Sequence, residues 1–386
     1  MIPLYTILLE CCGKRRYTFS TMHIGIDTRL TAYRTGGIST YMRRVVEALE
    51  VLDQHNQYTV FQSRKAKTPI ANRFKESRLW TPCHHRWERL ALSVELIRFR
   101  LDLLHSPDFI PPHHGARHHI ITVHDLTFLH YPQYLTADSR RYYNNQIESA
   151  VIRADHILVD SDATRRDLIT MLQVPDDKIT IHSLGVEDRF RPFNSAELAL
   201  AKEALQLPAD YLLFVGTFEP RKNISGLLNA YHLLRERMPT APPLVLVGRR
   251  GWLFDETMQQ IKSLKLGEQV IWREDIHDEM LPAVYNLGTA LVTPSFYEGF
   301  GLPALEAMAC GTIPIVSNRS SLPEVVGDVG LQVNPDDVDS IARAMEFALN
   351  DPGWREHMRQ MGLERARQFT WSETAGIVLS TYQRFA

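Results

Sequence analysis

Cysteine is scarce in this chain, with only Cys11, Cys12, Cys83 and Cys310 among 386 residues. No Cys-x-x-Cys pair occurs, so a disulfide framework is excluded and a reducing, cytoplasmic setting is favoured. No apolar run approaches the roughly 20 residues of a membrane-spanning helix. Charge of one sign is also missing: the net formal charge is −2, which gives no case for nucleic-acid binding. Repeats, low-complexity segments and long linkers are absent. The first strand is not followed by Gly-x-Gly-x-x-Gly opening a helix, which disfavours a dinucleotide dehydrogenase. His113, His114, His118 and His119 fall in a Pro- and Gly-containing stretch without a cysteine or carboxylate pattern. That stretch reads as a solvated loop, and no metal site is expected.

What is present suffices for two ordinary hydrophobic cores, since 44% of the residues are apolar. The first 21 residues differ from the rest. Ile2 to Leu9 is apolar, and the basic cluster Lys14-Arg-Arg16 follows it, the reverse of a signal peptide. Met22-His-Ile-Gly-Ile-Asp27 reads as the first strand, so residues 1–21 are expected to be a non-core extension and Met22 a true or alternative start.

From there the chain alternates strands and helices. Buried strands are expected at 23–27, 58–61, 101–104, 119–123, 156–159 and 179–182, then at 211–215, 244–247, 269–272, 290–293, 313–316 and 331–333. The pattern gives an α/β protein with a first domain over 22–190 and a second over 191–365, joined near Arg191-Pro-Phe-Asn-Ser195. In the first domain Gly36-Gly37 precedes a helix carrying Ile38, Tyr41, Val45, Val46 and Leu49, and lets backbone approach a ligand. His124 follows a strand directly, with Asp125 beside it either to orient the ring or to cap the next turn. Ser161, also just past a strand, is within reach of a cleft.

The second domain carries the stronger signal. Arg221 and Lys222 leave the carboxyl edge of the strand 211–215, where open α/β sheets bind ligands, and Asn223 is placed to cap the next helix. Further on, Glu298-Gly-Phe-Gly-Leu-Pro-Ala-Leu-Glu306 sets two carboxylates around a glycine turn. Pro303 suits the first helical turn and Gly311 its stop. The amides of Gly299, Phe300, Gly301 and Leu302 then point out of a helix N-terminus and form an anion site. With Arg221 and Lys222 they match a diphosphate. Glu306, expected in the first helical turn, suits ribose hydroxyls, and Glu298 suits the hydroxyls of a transferred sugar. Loop 273–276 is a candidate for base contacts.

On these residues the chain resembles the retaining glycosyltransferases of family 4, from about Met22 onward. The spacing of Glu298 and Glu306 is that family's E-x7-E signature. The resemblance implies the GT-B fold, two Rossmann-like domains with parallel sheets facing across a cleft, with residues 366–386 crossing back onto the first domain. It implies that Glu306 binds the nucleotide ribose, that Glu298 contacts the donor sugar, and that Arg221, Lys222 and Gly37 face the diphosphate. The family also has a histidine at the strand end where His124 stands. Relatives carry Gly-Arg where this chain has Gly216-Thr217, so Arg221 is expected to supply the missing cation. Glu219-Pro-Arg-Lys-Asn223 and Gly248-Arg-Arg-Gly-Trp252 resemble bacterial mannosyltransferases. That similarity implies a GDP-mannose donor as substrate, no separate cofactor, and a glycan or lipid-linked acceptor. UDP-glucose and a UDP-N-acetylhexosamine stay open as donors. An epimerase of the same architecture and a non-catalytic nucleotide-binding protein are the competing readings.

Residues 64–100 are rich in basic and aromatic side chains: Arg64, Lys65, Lys67, Arg73, Lys75, Arg78, Arg86, Arg89, Arg98 and Arg100, with Trp80 and Trp87 interleaved. One reading is peripheral contact with an anionic membrane at its inner face. The other is an amphipathic helix packed on the first domain.

Overall fold

A computed structural model describes residues 21–386 apart from 34–35, 86, 135–136 and 252–253. The expectations for the leader, for Arg86 and for Trp252 therefore lie outside the described residues.

Continuous apolar runs form the strands because both faces of each sheet are covered. Ile24, Ile26, Val60, Leu103, Ile120 and Leu158 are all essentially inaccessible, each contributing roughly 1.5–3 kcal/mol by burial. The first sheet comprises β1 (His23–Asp27), β2 (Gln57–Ser63), β3 (Lys75–Leu79), β4 (Leu101–Ser106), β5 (Ala116–Val123), β6 (His156–Val159) and β7 (Ile179–Ile181). The second comprises β8 (Leu212–Val215), β9 (Leu244–Val247), β10 (Val270–Arg273), β11 (Ala290–Thr293), β12 (Ile313–Ser317) and β13 (Leu331–Val333). Every pairing is parallel, in orders β3-β2-β1-β4-β5-β6-β7 and β10-β9-β8-β11-β12-β13. Strand order reverses between β1 and β4 and again between β8 and β11. Crevices at the carboxyl ends of such strands are where doubly wound sheets take ligands.

Two expectations need correction. The basic segment is not one helix: Lys75–Leu79 adds β3 to the edge of β2, and a helix follows only over Glu88–Leu96. Lys-Glu-Ser-Arg-Leu carries little apolar signal because an edge strand is held mainly by its backbone ladder. His118 and His119 both lie on β5, which begins at Ala116 rather than at the expected 119. Their strand end is only partly covered, so polar side chains are tolerated there.

The chain passes between the sheets twice. The first connection ends near Asn194, which caps the helix Ser195–Leu205 with a reciprocal bond from Glu197. The second leads into the helix Trp371–Gln383, which packs on the helix Gly37–Leu52 of the first lobe. The two connections are stitched together: Val186 N donates to Phe369 O at 3.1 Å and Thr374 Oγ1 to Ser183 O at 2.6 Å.

Candidate functional site

β8 ends at Val215, and the chain makes a tight turn over Pro220–Lys222 before the helix Ile224–Arg237. Asn223 fixes that turn. Its side chain accepts from Gly226 N, while Nδ2 donates to Pro294 O at 3.1 Å and Pro335 O at 2.7 Å, tying the turn to the end of β11. Arg221 and Lys222 are thereby delivered to Glu298. Arg221 donates to Glu298 Oε2 at 2.6 Å and Lys222 Nζ to Oε1 at 2.6 Å, and Ser295 Oγ adds a bond of 2.7 Å to Oε1. Arg221 also holds Glu219 at 3.0 Å.

Burial alone would raise the Glu298 pKa. Arg221 and Lys222 outweigh it and hold the carboxyl at about 2. Burial together with the neighbouring Arg221 lowers Lys222. Glu298 therefore occupies both cations, as an anion does.

Beyond Glu298 the chain turns through Gly301, whose φ of 110° suits glycine, into the helix Leu302–Cys310. The amides of Gly299, Phe300, Gly301 and Leu302 meet no protein acceptor among the described residues. The Phe300 side chain is buried, facing Phe369 with ring centroids 5.9 Å apart. Ser320 and Ser321 anchor the turn through the Glu298 carbonyl.

Glu306 is the fifth residue of its helix, in the second turn rather than the first. Its carboxyl accepts from Tyr285 OH at 2.8 Å. Burial pushes its pKa up to about 8.

The opposite lobe closes directly on this turn. Ser161 Oγ accepts from Thr164 N to cap the helix Asp162–Leu172 and donates to Gly299 O at 2.8 Å. Glu324 accepts from Asp162 N and Ala163 N, both at 2.8 Å, so a carboxylate of one lobe caps a helix of the other. A Cβ placed on Gly37 would stand 3.6 Å from Leu302 Cδ1, so the two glycine loops face each other.

His124, beyond β5, has both ring nitrogens engaged. Nδ1 lies 2.7 Å from Asp160 Oδ2, and Nε2 lies 3.0 Å from Pro107 O. Both partners only accept, so the ring carries two protons. Burial lowers its pKa, but the Asp160 carboxylate outweighs this and raises it to about 9.

The structure thus brings Arg221, Lys222, Glu298, Gly299, Phe300, Gly301, Leu302, Gly37 and His124 around one crevice. Of the two roles open to Asp125, the structure shows the second: its Oδ1 accepts from Thr127 N at 3.0 Å and caps the next turn. In loop 273–276, Arg273 is committed to Asp275 and Glu274 to Arg250. Sequence reasoning missed Ser295 and Asp160. The cue for Asp160 was the same as for His124: a polar residue directly after a buried strand.

The model of glycosyl transferases group 1 matches residues 196–366, and that of Glycosyltransferase Family 4 matches residues 35–190. O-antigen chain mannosyltransferase B of Escherichia coli is 38% identical over 282 residues, covering 73% of this chain and 74% of that protein. The serotype-specific mannosyltransferase WbdA of Escherichia coli is 33% identical over 276 residues. That match covers 69% of this chain but only 33% of WbdA. Among solved structures, a sucrose-phosphate synthase from Thermosynechococcus elongatus superposes with a TM-score of 0.76 at 23% identity, over 94% of this chain and 98% of that one. WaaG, a glycosyltransferase involved in lipopolysaccharide biosynthesis, gives 0.74 at 14% identity, over 93% and 99%. Fold and site define a GT-B enzyme with two Rossmann-like lobes. The chain belongs to the family 4 and group 1 glycosyltransferases and is a hexosyltransferase.

Proposed function

We propose that the enzyme transfers mannose, with retention of anomeric configuration, from GDP-mannose to a glycan or lipid-linked acceptor. The observation that carries this reading is the grip of Arg221 and Lys222 on Glu298 beside four amides that meet no protein acceptor among the described residues. An incoming diphosphate takes over the two cations and the amides. Glu298 is then released to the hydroxyls of the donor sugar, and Glu306 receives the ribose. Charge building on the departing diphosphate meets donors already in place, the arrangement that lowers a barrier most. The departing phosphate itself serves as acceptor of the hydroxyl proton on the face it leaves. Similarity to the two Escherichia coli mannosyltransferases supports the choice of sugar and of a glycan acceptor.

The same reading places the enzyme at the cytoplasmic face of a membrane. No helix among the described residues is long and apolar enough to cross one. Leu90, Val94 and Ile97 form an exposed stripe at helical spacing beside exposed Trp80, and Arg64 stacks over the Trp80 ring at 4.1 Å. Apolar side chains rimmed by cations suit an anionic bilayer surface.

A donor panel scored for nucleoside diphosphate release, with and without glycan acceptors, tests the reaction. Acceptor-dependent GDP release with an α-linked product is expected. Isomerisation of the donor without acceptor, or binding without turnover, would overturn the reading.

A further inference from the structure

Beneath His124 lies a line of buried polar side chains that the transfer reaction does not explain. Tyr382 OH, from the helix that crosses back, lies 2.6 Å from His105 Nδ1, and His105 Nε2 lies 2.8 Å from Thr122 Oγ1. Thr122 Oγ1 lies 3.1 Å from Tyr41 OH, which lies 2.9 Å from His182 Nε2. His182 Nδ1 in turn faces Asp160 Oδ1 at 3.6 Å. Tyr382, His105, Thr122, Tyr41 and His182 are fully buried, and Asp160 is nearly so.

Proton accounting gives this line a direction. Burial lowers the pKa of both His105 and His182, that of His105 to about 3, so each ring is neutral and carries one proton. If Tyr382 donates to His105 Nδ1, then His105 Nε2–H donates to Thr122, Thr122 to Tyr41, and Tyr41 to His182 Nε2. The remaining proton on His182 Nδ1 faces Asp160. Every donor in the series points the same way, toward one carboxylate. Asp160 Oδ1 and His182 Nδ1 are nonetheless buried without a partner, because 3.6 Å is too long for a bond. The other carboxylate oxygen, Oδ2, is given wholly to His124.

We propose that Asp160 is a positioning residue for the transfer, holding His124 as an imidazolium whose Nε2–H can be handed from the Pro107 carbonyl to an oxygen of the substrate. In the structure this proton is held by the Pro107 carbonyl at 3.0 Å. The turn that follows Glu298 begins where His124 ends: a methyl group built on Gly299 would touch the His124 carbonyl. An oxygen of the diphosphate or of the sugar bound at that turn is the natural replacement for Pro107 O. Nδ1, committed to Asp160, cannot turn with it, so the ring pivots about one fixed bond. Behind Asp160 the far oxygen faces the neutral His182 ring at 3.6 Å without a bond, so the carboxylate's one hydrogen-bonded oxygen is the one given to His124. The groups facing His124 are Asp160 after β6, Asp108 after β4, His182 after β7, His105 on β4, and the Tyr41 ring from the first helix, edge-on with centroids 4.9 Å apart. Among them Asp160 alone is bonded to the ring.

The proposal rests on the hexosyl-transfer reading of the cleft, and its test separates the two. In the full chain with 15N-labelled histidine, the His124 ring nitrogens, assigned with His124→Gln, should both be protonated at pH 7.5–8.5. In Asp160→Asn the ring should be neutral over the same range. That variant should lose about 100-fold or more in kcat, the lower end of the usual weight of a positioned acid–base group, with the donor KM changed less than about threefold. Its alkaline limb in kcat/KM should move from near 9 toward the ordinary histidine value of about 6.5, and Asp160→Glu should move it back. A neutral His124 in the unaltered chain, or an Asp160→Asn enzyme with unchanged kcat and alkaline limb, would overturn the proposal. The nitrogen spectra decide the charge on His124 even if no donor in the panel is turned over. Failure of this proposal is thereby distinguished from failure of the transfer reading.

Discussion

Gly299 stands so close to His124 that a Cβ at this position would lie 2.2 Å from the His124 carbonyl oxygen. Glycine is required here by an approach of backbone to backbone between two lobes, independently of any dihedral angle. Gly299→Ala should therefore push the lobes apart at the crevice. The expected result is a fall of about 100-fold or more in kcat/KM, consistent with an ångström-scale misplacement, and a larger radius of gyration by small-angle scattering. Unchanged kinetics would show that the closed contact is not the reacting form.

Glu298 competes with the diphosphate for Arg221 and Lys222. Glu298→Ala should abolish transfer by roughly 10²- to 10³-fold while GDP binding, measured by calorimetry, holds or tightens. Lys222→Ala should weaken both, because the cation itself is lost. Equal losses of GDP binding in the two variants would contradict the exchange of partners.

Glu306 makes stability depend on pH with a defined sign. Its folded pKa is about 8 against an ordinary 4.5. Between those values the folded chain keeps a proton that the unfolded chain has released. Stability is therefore lost as pH rises through this window and is level above it. Denaturant unfolding from pH 5 to 9 should show a decline, at its steepest on the order of 1 kcal/mol per pH unit, that Glu306→Gln removes.

Arg29 is a buried hub in the first lobe. It holds Asp27 at 2.7 Å and Glu88 at 2.8 Å and donates to Thr81 O at 2.7 Å. Removing it leaves Asp27 and Glu88 without their shared cation. Arg29→Ala should cost about 3–5 kcal/mol in chemical denaturation, and restoring apolar shape with Arg29→Met alone should not recover it while Asp27 and Glu88 remain.

The apolar stripe offers a direct check on membrane contact. The unaltered chain should co-sediment with vesicles containing anionic phosphatidylserine in a salt-sensitive manner. Replacing Trp80, Leu90, Val94 and Ile97 together by serine should release it, with kcat on a soluble glycan acceptor unchanged. No binding by the unaltered chain would discard the idea.

Much of the fold was legible because both sheets are covered on two faces. Runs such as Leu212–Val215 and Leu244–Val247 are apolar throughout and bounded by glycine, so their ends fall where the cleft lies. β3 was illegible for the converse reason: an edge strand needs no apolar run. Arg221, Lys222 and Glu298 can be singled out in the sequence because helix and strand punctuation sets their positions along the chain. Their mutual salt bridge was not foreseen, since spacing says where a side chain starts and not which partner it chooses without ligand. Asp160 was missed in the same way, its meaning residing in His124, 36 positions earlier.

The helix Trp371–Gln383 buries Ala375, Val378 and Tyr382 in the same cluster as Tyr41, Val45 and Leu49. Synthesis therefore delivers a piece of the first lobe's interior after the entire second lobe. Until those residues emerge, the nascent amino-terminal half has an uncovered seam along its first long helix, and premature termination near residue 370 would leave that seam open to chaperones and proteases.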